Sequence, residues 1–169
     1  MVSGLKRLQR LTLFCLALVM LLGLPLAASA VNRLTEGPTH WSQARRDSSG
    51  LAPKPEETPE AVVQVYAGRA WSWRGIFGVH TWFAVKPPNA SEYTRLEVMG
   101  WQLRYGNTAV RVRNGTPDGY WFGSEPELLA EVRGAEAEKL IPRILAAAES
   151  YPHAGDYRIW PGPNSNTFT

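Results

Sequence analysis

Gly78-Val79-His80-Thr81-Trp82-Phe83-Ala84-Val85-Lys86 strings β-branched and aromatic residues between a glycine and the Pro87-Pro88 pair, and it reads as a β-strand. Side chains alternate across a strand, so Val79, Thr81, Phe83 and Val85 share one face while His80, Trp82 and Ala84 share the other. Upstream, Ala61-Val62-Val63-Gln64-Val65-Tyr66-Ala67 follows Pro59 and precedes Gly68, which predicts a preceding strand. Downstream, a third strand is expected from Thr94 to Leu103, with Leu96, Val98 and Trp101 packing and Arg95, Glu97 and Met99 opposite. The Pro87-Pro88-Asn89 connection predicts an antiparallel pair, and Val110 to Val112 adds a short strand before the Asn114-Gly115 turn.

The period then changes. Ser124 with Glu127 three residues later has the form of a capping box, so a short helix is expected that Gly134 closes. A longer helix follows, in which Ala137, Leu140, Ile141, Ile144, Leu145 and Ala148 form one apolar stripe and Pro142 is expected to introduce a kink or restart. Strands followed by helices define an α+β fold, a small antiparallel sheet packed on one or two helices, rather than alternating βαβ units.

Outside residues 61–169, which form the expected globular domain, the chain divides in two. Residues 1–30 carry Lys6, Arg7 and Arg10, then an apolar run over residues 11–28 interrupted near its end by Gly23 and Pro25, then Ala28-Ser29-Ala30, the layout of a signal peptide or of an N-terminal membrane anchor. Either reading puts the rest of the chain outside the cytoplasm, in the periplasm or cell envelope, with residues 11–28 in the inner membrane if uncleaved. Residues 31–60 are polar, with Pro38, Pro53, Pro55 and Pro59, and read as a tether or a draped extended arm that Trp41 and Leu51 pin to the domain.

The leader holds three of the 18 basic residues and no acid, so the remainder balances its charges and gives no support to a nucleic-acid partner. Cys15, the only cysteine, lies in the leader, which excludes disulfides and thiol chemistry from the domain. No phosphate-binding glycine loop, zinc-protease segment or calcium loop is present, so neither a metal nor another cofactor is expected.

Three groups remain for chemistry. Only His80 among the three histidines sits in a predicted strand, where its ring is held as a general base or, equally, as a satisfied histidine of the sheet face. Glu97 on the next strand stands beside it if the register is right. Gly162-Pro163-Asn164-Ser165-Asn166-Thr167-Phe168 presents a serine hydroxyl between Asn164 and Asn166, either as a nucleophile with backbone donors around it or as a structural turn. Separately, Trp71, Trp73 and Arg74 cluster in the loop between the first two strands, suited to stacking on sugars or lipid headgroups.

ARRDSSGLAP, TPEAVVQVYAGRAW, GVHTWFAVKP, YTRLEVMGW and YRIWPGPNSNTF, spread from Ala44 to Phe168, resemble an uncharacterised bacterial family of exported or membrane-anchored proteins of unknown function that end in GPNSNTF. His80 in VHTWF and Asn164-Ser165 near the end also resemble the circularly permuted papain-like hydrolases and acyltransferases, with Ser in place of Cys. That resemblance implies Ser165 as nucleophile, His80 as base and Glu97 as the third polar group, at the head of a helix that this sequence cuts short after Thr169. Two functions stay open. One is a binding module with a degenerate papain-like cleft, with Trp71, Trp73, Arg74, Asn164 and Asn166 at its mouth, taking a peptide, peptidoglycan fragment or lipid of the cell envelope. The other is a serine-variant amidase, peptidase or acyltransferase acting on the same material.

Overall fold

A computed structural model of the chain describes residues 2–35 and 40–169, so Pro38 of the expected tether lies outside the described residues. Helix α1 (Val2–Thr35) contains Lys6–Ala28, a stretch long and apolar enough to cross a bilayer. It runs through Gly23 and Pro25, the residues expected to interrupt it.

The body is one five-stranded sheet with helices after it. Strands β1 (Val62–Arg69), β2 (Val79–Lys86), β3 (Thr94–Val98), β4 (Val110–Asn114) and β5 (Glu127–Arg133) lie in the order β4-β3-β2-β1-β5, all neighbours antiparallel. Helix α2 (Gly134–Glu149) and the single-turn α3 (Ser165–Phe168) follow. The class is α+β, as the order of sequence periods predicts.

β5 corrects the expectation of a helix after Ser124. The capping-box residues do not cap: Ser124 Oγ accepts from the Arg69 backbone N–H at 3.2 Å, and Glu127 begins a strand along the free edge of β1. An edge strand leaves a row of backbone groups unpaired, and satisfying that row outweighs a local capping preference. One extra residue bulges between the pairs Val65↔Ala130 and Tyr66↔Leu128. Gly134, with φ +66°, then turns the chain into α2 rather than ending a helix. The third strand likewise ends at Val98, and Gly100–Tyr105 forms 3-10 turns.

The alternation read from β2 sorts the core into two. On one face Val63, Val85 and Leu96 pack under Ala137, Ile141 and Ala148 of α2, with Leu140 and Ile144 half-buried at the margin. Leu145, on the expected stripe, stays on the outer side, and Pro142 sits within the continuous helix. On the other face Val62, Tyr66, Trp82 and Ala84 meet Tyr93, Met99 and Trp121.

Among the described residues no α-helix packs on the core of this second face. Residues 44–60 and the loop from Gly115 to Ser124 lie over it, bound to each other. Asp118, fully buried, accepts from Ser48 Oγ at 2.8 Å, Ser49 Oγ at 3.2 Å and the N–H groups of Leu51 and Ala52 at 2.7 and 3.0 Å. Backbone bonds from Tyr120 to Asp47 and from Gly123 to Arg45 continue the seam. Trp41 and Leu51, the expected pins, are exposed; Asp118 and the buried Ala44 hold the arm instead.

Candidate functional site

β2 and β3 bring the polar residues of the second face together. Register pairs Phe83 with Leu96 and Ala84 with Arg95, and its continuation sets Glu97 opposite Trp82 and diagonal to His80. His80 Nε2 lies 3.0 Å from Glu97 Oε2, and Arg95 Nε and Nη2 donate to the same oxygen at 3.1 and 2.9 Å. All three side chains are buried. Burial pushes the Glu97 carboxyl up, but the hydrogen bond with His80 and the charge of Arg95 outweigh it and hold Glu97 below the usual carboxylate range. A carboxylate only accepts, so Nε2 carries the proton in this bond. Burial pushes His80 down against the pull of Glu97, which keeps the imidazole neutral at pH 7.

Aromatic rings enclose this triad. Trp121 stacks on His80 with centroids 3.6 Å apart, and the Arg95 guanidinium sits 4.0 Å from the Trp82 centroid and 5.5 Å from that of Trp121. Gly68 permits the approach, since a Cβ there would lie 2.7 Å from Trp121 Cβ. Trp82 is anchored in turn by donating to the Pro117 carbonyl at 2.7 Å.

Beside the triad opens a cleft of about 400 Å³, with Arg95, Glu97, Arg111 and Arg113 on the sheet and Trp101, Trp121 and Phe122 among its walls. Arg113 pairs directly with Arg95 across β3–β4, and Arg111 with Glu97. Arg46 from the arm closes one side, its guanidinium 4.4 Å from the Phe122 centroid and hydrogen-bonded to the carbonyls of Trp41, Ser42 and Ala44. Among the described residues Arg46, Arg111 and Arg113 form no ion pair, and no three His, Cys, Asp or Glu side chains converge as a metal site. All three hydrogen bonds to Glu97 reach Oε2, so Oε1 has no hydrogen-bond partner among them.

Ser165 lies elsewhere. Thr81 Oγ1 donates to the Ser165 carbonyl at 2.8 Å, and Thr81 alternates with His80, so Ser165 belongs to the α2 face and His80 to the cleft face. Among the described residues no hydrogen bond joins Ser165 Oγ to His80. Asn164 is an N-cap: its side chain accepts from the Asn166 N–H at 3.0 Å and donates to the carbonyls of Arg158 and Ile159. Asn166 Oδ1 accepts from Thr81 Oγ1 at 3.3 Å, and Phe168 packs edge-on against Phe83 and Tyr151. The GPNSNTF ending thus fastens the chain end to β2.

The Trp71 cluster divides. Trp71 contacts Phe122, with centroids 6.1 Å apart, and so backs the cleft wall; Trp73 is exposed, with Arg74 5.3 Å from its ring. His80 and Glu97 are brought together as the register argument requires, but Arg95, Arg111, Arg113, Arg46, Trp101, Trp121 and Phe122 complete the site and were not among the candidates. Their signal was the pair Arg95-x-Glu97 and Arg111-x-Arg113, each placing two charges on one strand face.

Residues 60–169 match a family described as "Protein of unknown function (DUF3750)". The chain belongs to DUF3750. No curated protein and no solved structure matches it. The matched span holds every strand, α2, α3 and the triad, so the DUF3750 region carries the sheet floor of the cleft, while Arg46 and Asp47 of the arm precede it.

Proposed function

We propose that this DUF3750 protein is a non-catalytic binding module of the cell envelope, working outside the cytoplasm and holding its ligand in the cleft beside His80, Glu97 and Arg95. One observation carries the reading: the polar constellation and the serine lie on opposite faces of the sheet. A serine nucleophile requires a base about 2.6–3.2 Å from its oxygen. His80 instead spends its proton on Glu97 and its face on Trp121. A rigid, charged floor with aromatic walls suits recognition, where the groups need to be placed rather than consumed. The apolar Lys6–Ala28 stretch supports export or anchoring at a membrane, where peptides, peptidoglycan fragments and lipids are at hand. Under this reading the papain-like resemblance extends to the chain order of His80 and Ser165 and not to a shared catalytic cleft.

The test is tryptophan fluorescence of the full chain in detergent, titrated with muropeptides, neutral sugars, phosphate esters and phospholipids. A saturable response that Trp101→Ala removes is the expected result. No response to any ligand, together with fluorophosphonate labelling that Ser165→Ala abolishes, overturns the reading in favour of a serine amidase, peptidase or acyltransferase.

A further inference from the structure

We infer that the cleft takes a phosphorylated polyol or sugar, its phosphoryl group held by Arg111 and Arg113 and one of its hydroxyls donating to Glu97 Oε1; this rests on the cleft being the binding site proposed above. The charge inventory gives the first argument. Like charges directly opposite on neighbouring strands are destabilising, yet Arg113 faces Arg95 and stands two residues from Arg111 on the same strand face. Glu97 is the one acid lining the cleft, and Arg95 already donates twice to it. Burial and the neighbouring Arg113 both disfavour the charge on Arg111. Among the residues lining the cleft only Glu97, directly opposite Arg111, offsets this accumulation, and one carboxylate shared with Arg95 leaves positive charge that an anion from outside would balance.

The donors say which anion. Arg46 spends hydrogen bonds on three backbone carbonyls and contributes its field rather than its fork. Arg111 and Arg113 keep their guanidinium forks, Arg111 making only a 3.9 Å contact with Met99 Sδ. Two free forks beside a third unpaired cation suit a tetrahedral phosphoryl group, with several oxygens, better than a single carboxylate.

Glu97 and the tryptophans define the rest of the ligand. The hydrogen bonds from His80 and Arg95 all reach Glu97 Oε2, and Glu97 lines the cleft, so Oε1 is an acceptor that a ligand in the cleft can use. A hydroxyl of a polyol or sugar supplies the donor. Trp101, exposed and held by stacking on the buried Trp121 at 6.0 Å, offers an indole for the carbon face of such a ligand. A volume near 400 Å³ admits a small phosphate ester or one lipid headgroup.

The experiment uses the full chain in nonionic detergent and reads tryptophan fluorescence with glycerol 3-phosphate, inorganic phosphate and glycerol, and again in micelles doped with phosphatidylglycerol or phosphatidylcholine. Glycerol 3-phosphate is expected to bind at least about tenfold tighter than inorganic phosphate or glycerol, and Arg113→Gln to weaken it about tenfold. A response confined to phosphatidylglycerol micelles and lost in Arg113→Gln supports the same chemistry drawn from a lipid. Inorganic phosphate binding as tightly as its ester, or Arg113→Gln binding like the parent, overturns the inference. A response to muropeptides or neutral sugars alone, sensitive to Trp101→Ala, overturns it while leaving the proposed function standing; silence towards every probe removes both.

Discussion

The two faces of the sheet are built by different physics from the same strands. Leu96 and Glu97 are adjacent on β3, both essentially inaccessible, yet one meets the aliphatic underside of α2 and the other a histidine, an arginine and stacked indoles. The helix face is stabilised by apolar area removed from water and tolerates rearrangement within its volume. The cleft face is stabilised only while every polar partner is present, because a buried charge that loses its partner retains its desolvation cost. A protein that needs a fixed arrangement of charges has its ordinary core on one side and its site on the other.

Breaking the comparison starts at that adjacent pair. Glu97→Gln leaves Arg95 buried without its counter-charge and is expected to cost about 3–5 kcal/mol in urea unfolding, with folding lost in a marginal background. Leu96→Ala is expected to cost about 2–5 kcal/mol, with a dependence on pH no different from the parent. The cost of Glu97→Gln should instead shrink in acid, where the parent loses the same interaction. If both costs track pH alike, the division into two faces is wrong.

Asp118→Ala tests what holds the cover. Removing the acceptor for Ser48, Ser49, Leu51 and Ala52 is expected to cost about 2–3 kcal/mol and to expose residues 44–53 to protease well before the strands. Cleavage in α2 at the same rate would mean the arm and the sheet unfold as one. Gly68→Ala sharpens the packing of the cleft face: its Cβ meets Trp121 Cβ, which the flexible end of a side chain cannot relieve, and about 1–3 kcal/mol is expected together with a shifted tryptophan emission.

Acid acts on the buried pair of the cleft face. His80 has a folded pKa below its unfolded value, so the unfolded chain binds the extra proton first; the stability is whole above about pH 6.5 and falls as pH drops below it. Glu97, also depressed, keeps its contribution above about pH 4.3 and loses it as pH falls further through the folded value. Thermal unfolding at pH 7.5 and 5.5 should show a lower midpoint in acid, and His80→Gln should flatten that difference. The smallest effect is expected at Arg113→Gln, within about 0.5 kcal/mol of the parent in stability, since the side chain is exposed and forms no ion pair among the described residues. A large loss there would make Arg113 part of the scaffold rather than of the cleft.

Period and alternation made much of this visible beforehand. The faces of β2, the antiparallel order and the stripe of α2 follow from spacing alone, and His80 beside Glu97 required only the register that the strands adopt. Two things were hidden. Ser124 and Glu127 satisfy a helix-start pattern locally, and only the unpaired edge of β1, distant in sequence, decides for a strand. The cleft draws on Arg46, Arg95, Arg111 and Trp121, whose convergence depends on a loop folding back under the arm. Ser165 shows the opposite error: a motif distinctive enough to suggest chemistry is consumed in capping α3 and latching it to Thr81.

The arm that roofs the cleft is also the chain's link to α1. Thr35 ends the helix, and the Arg45 carbonyl already accepts from the Gly123 N–H of the cleft loop at 3.0 Å. Ten residues fully extended span at most about 36 Å. That chain length is an upper bound on how far the cleft loop can stand from the end of α1, so a bilayer around Lys6–Ala28, as in the proposed function, would keep the cleft within that reach of the helix end.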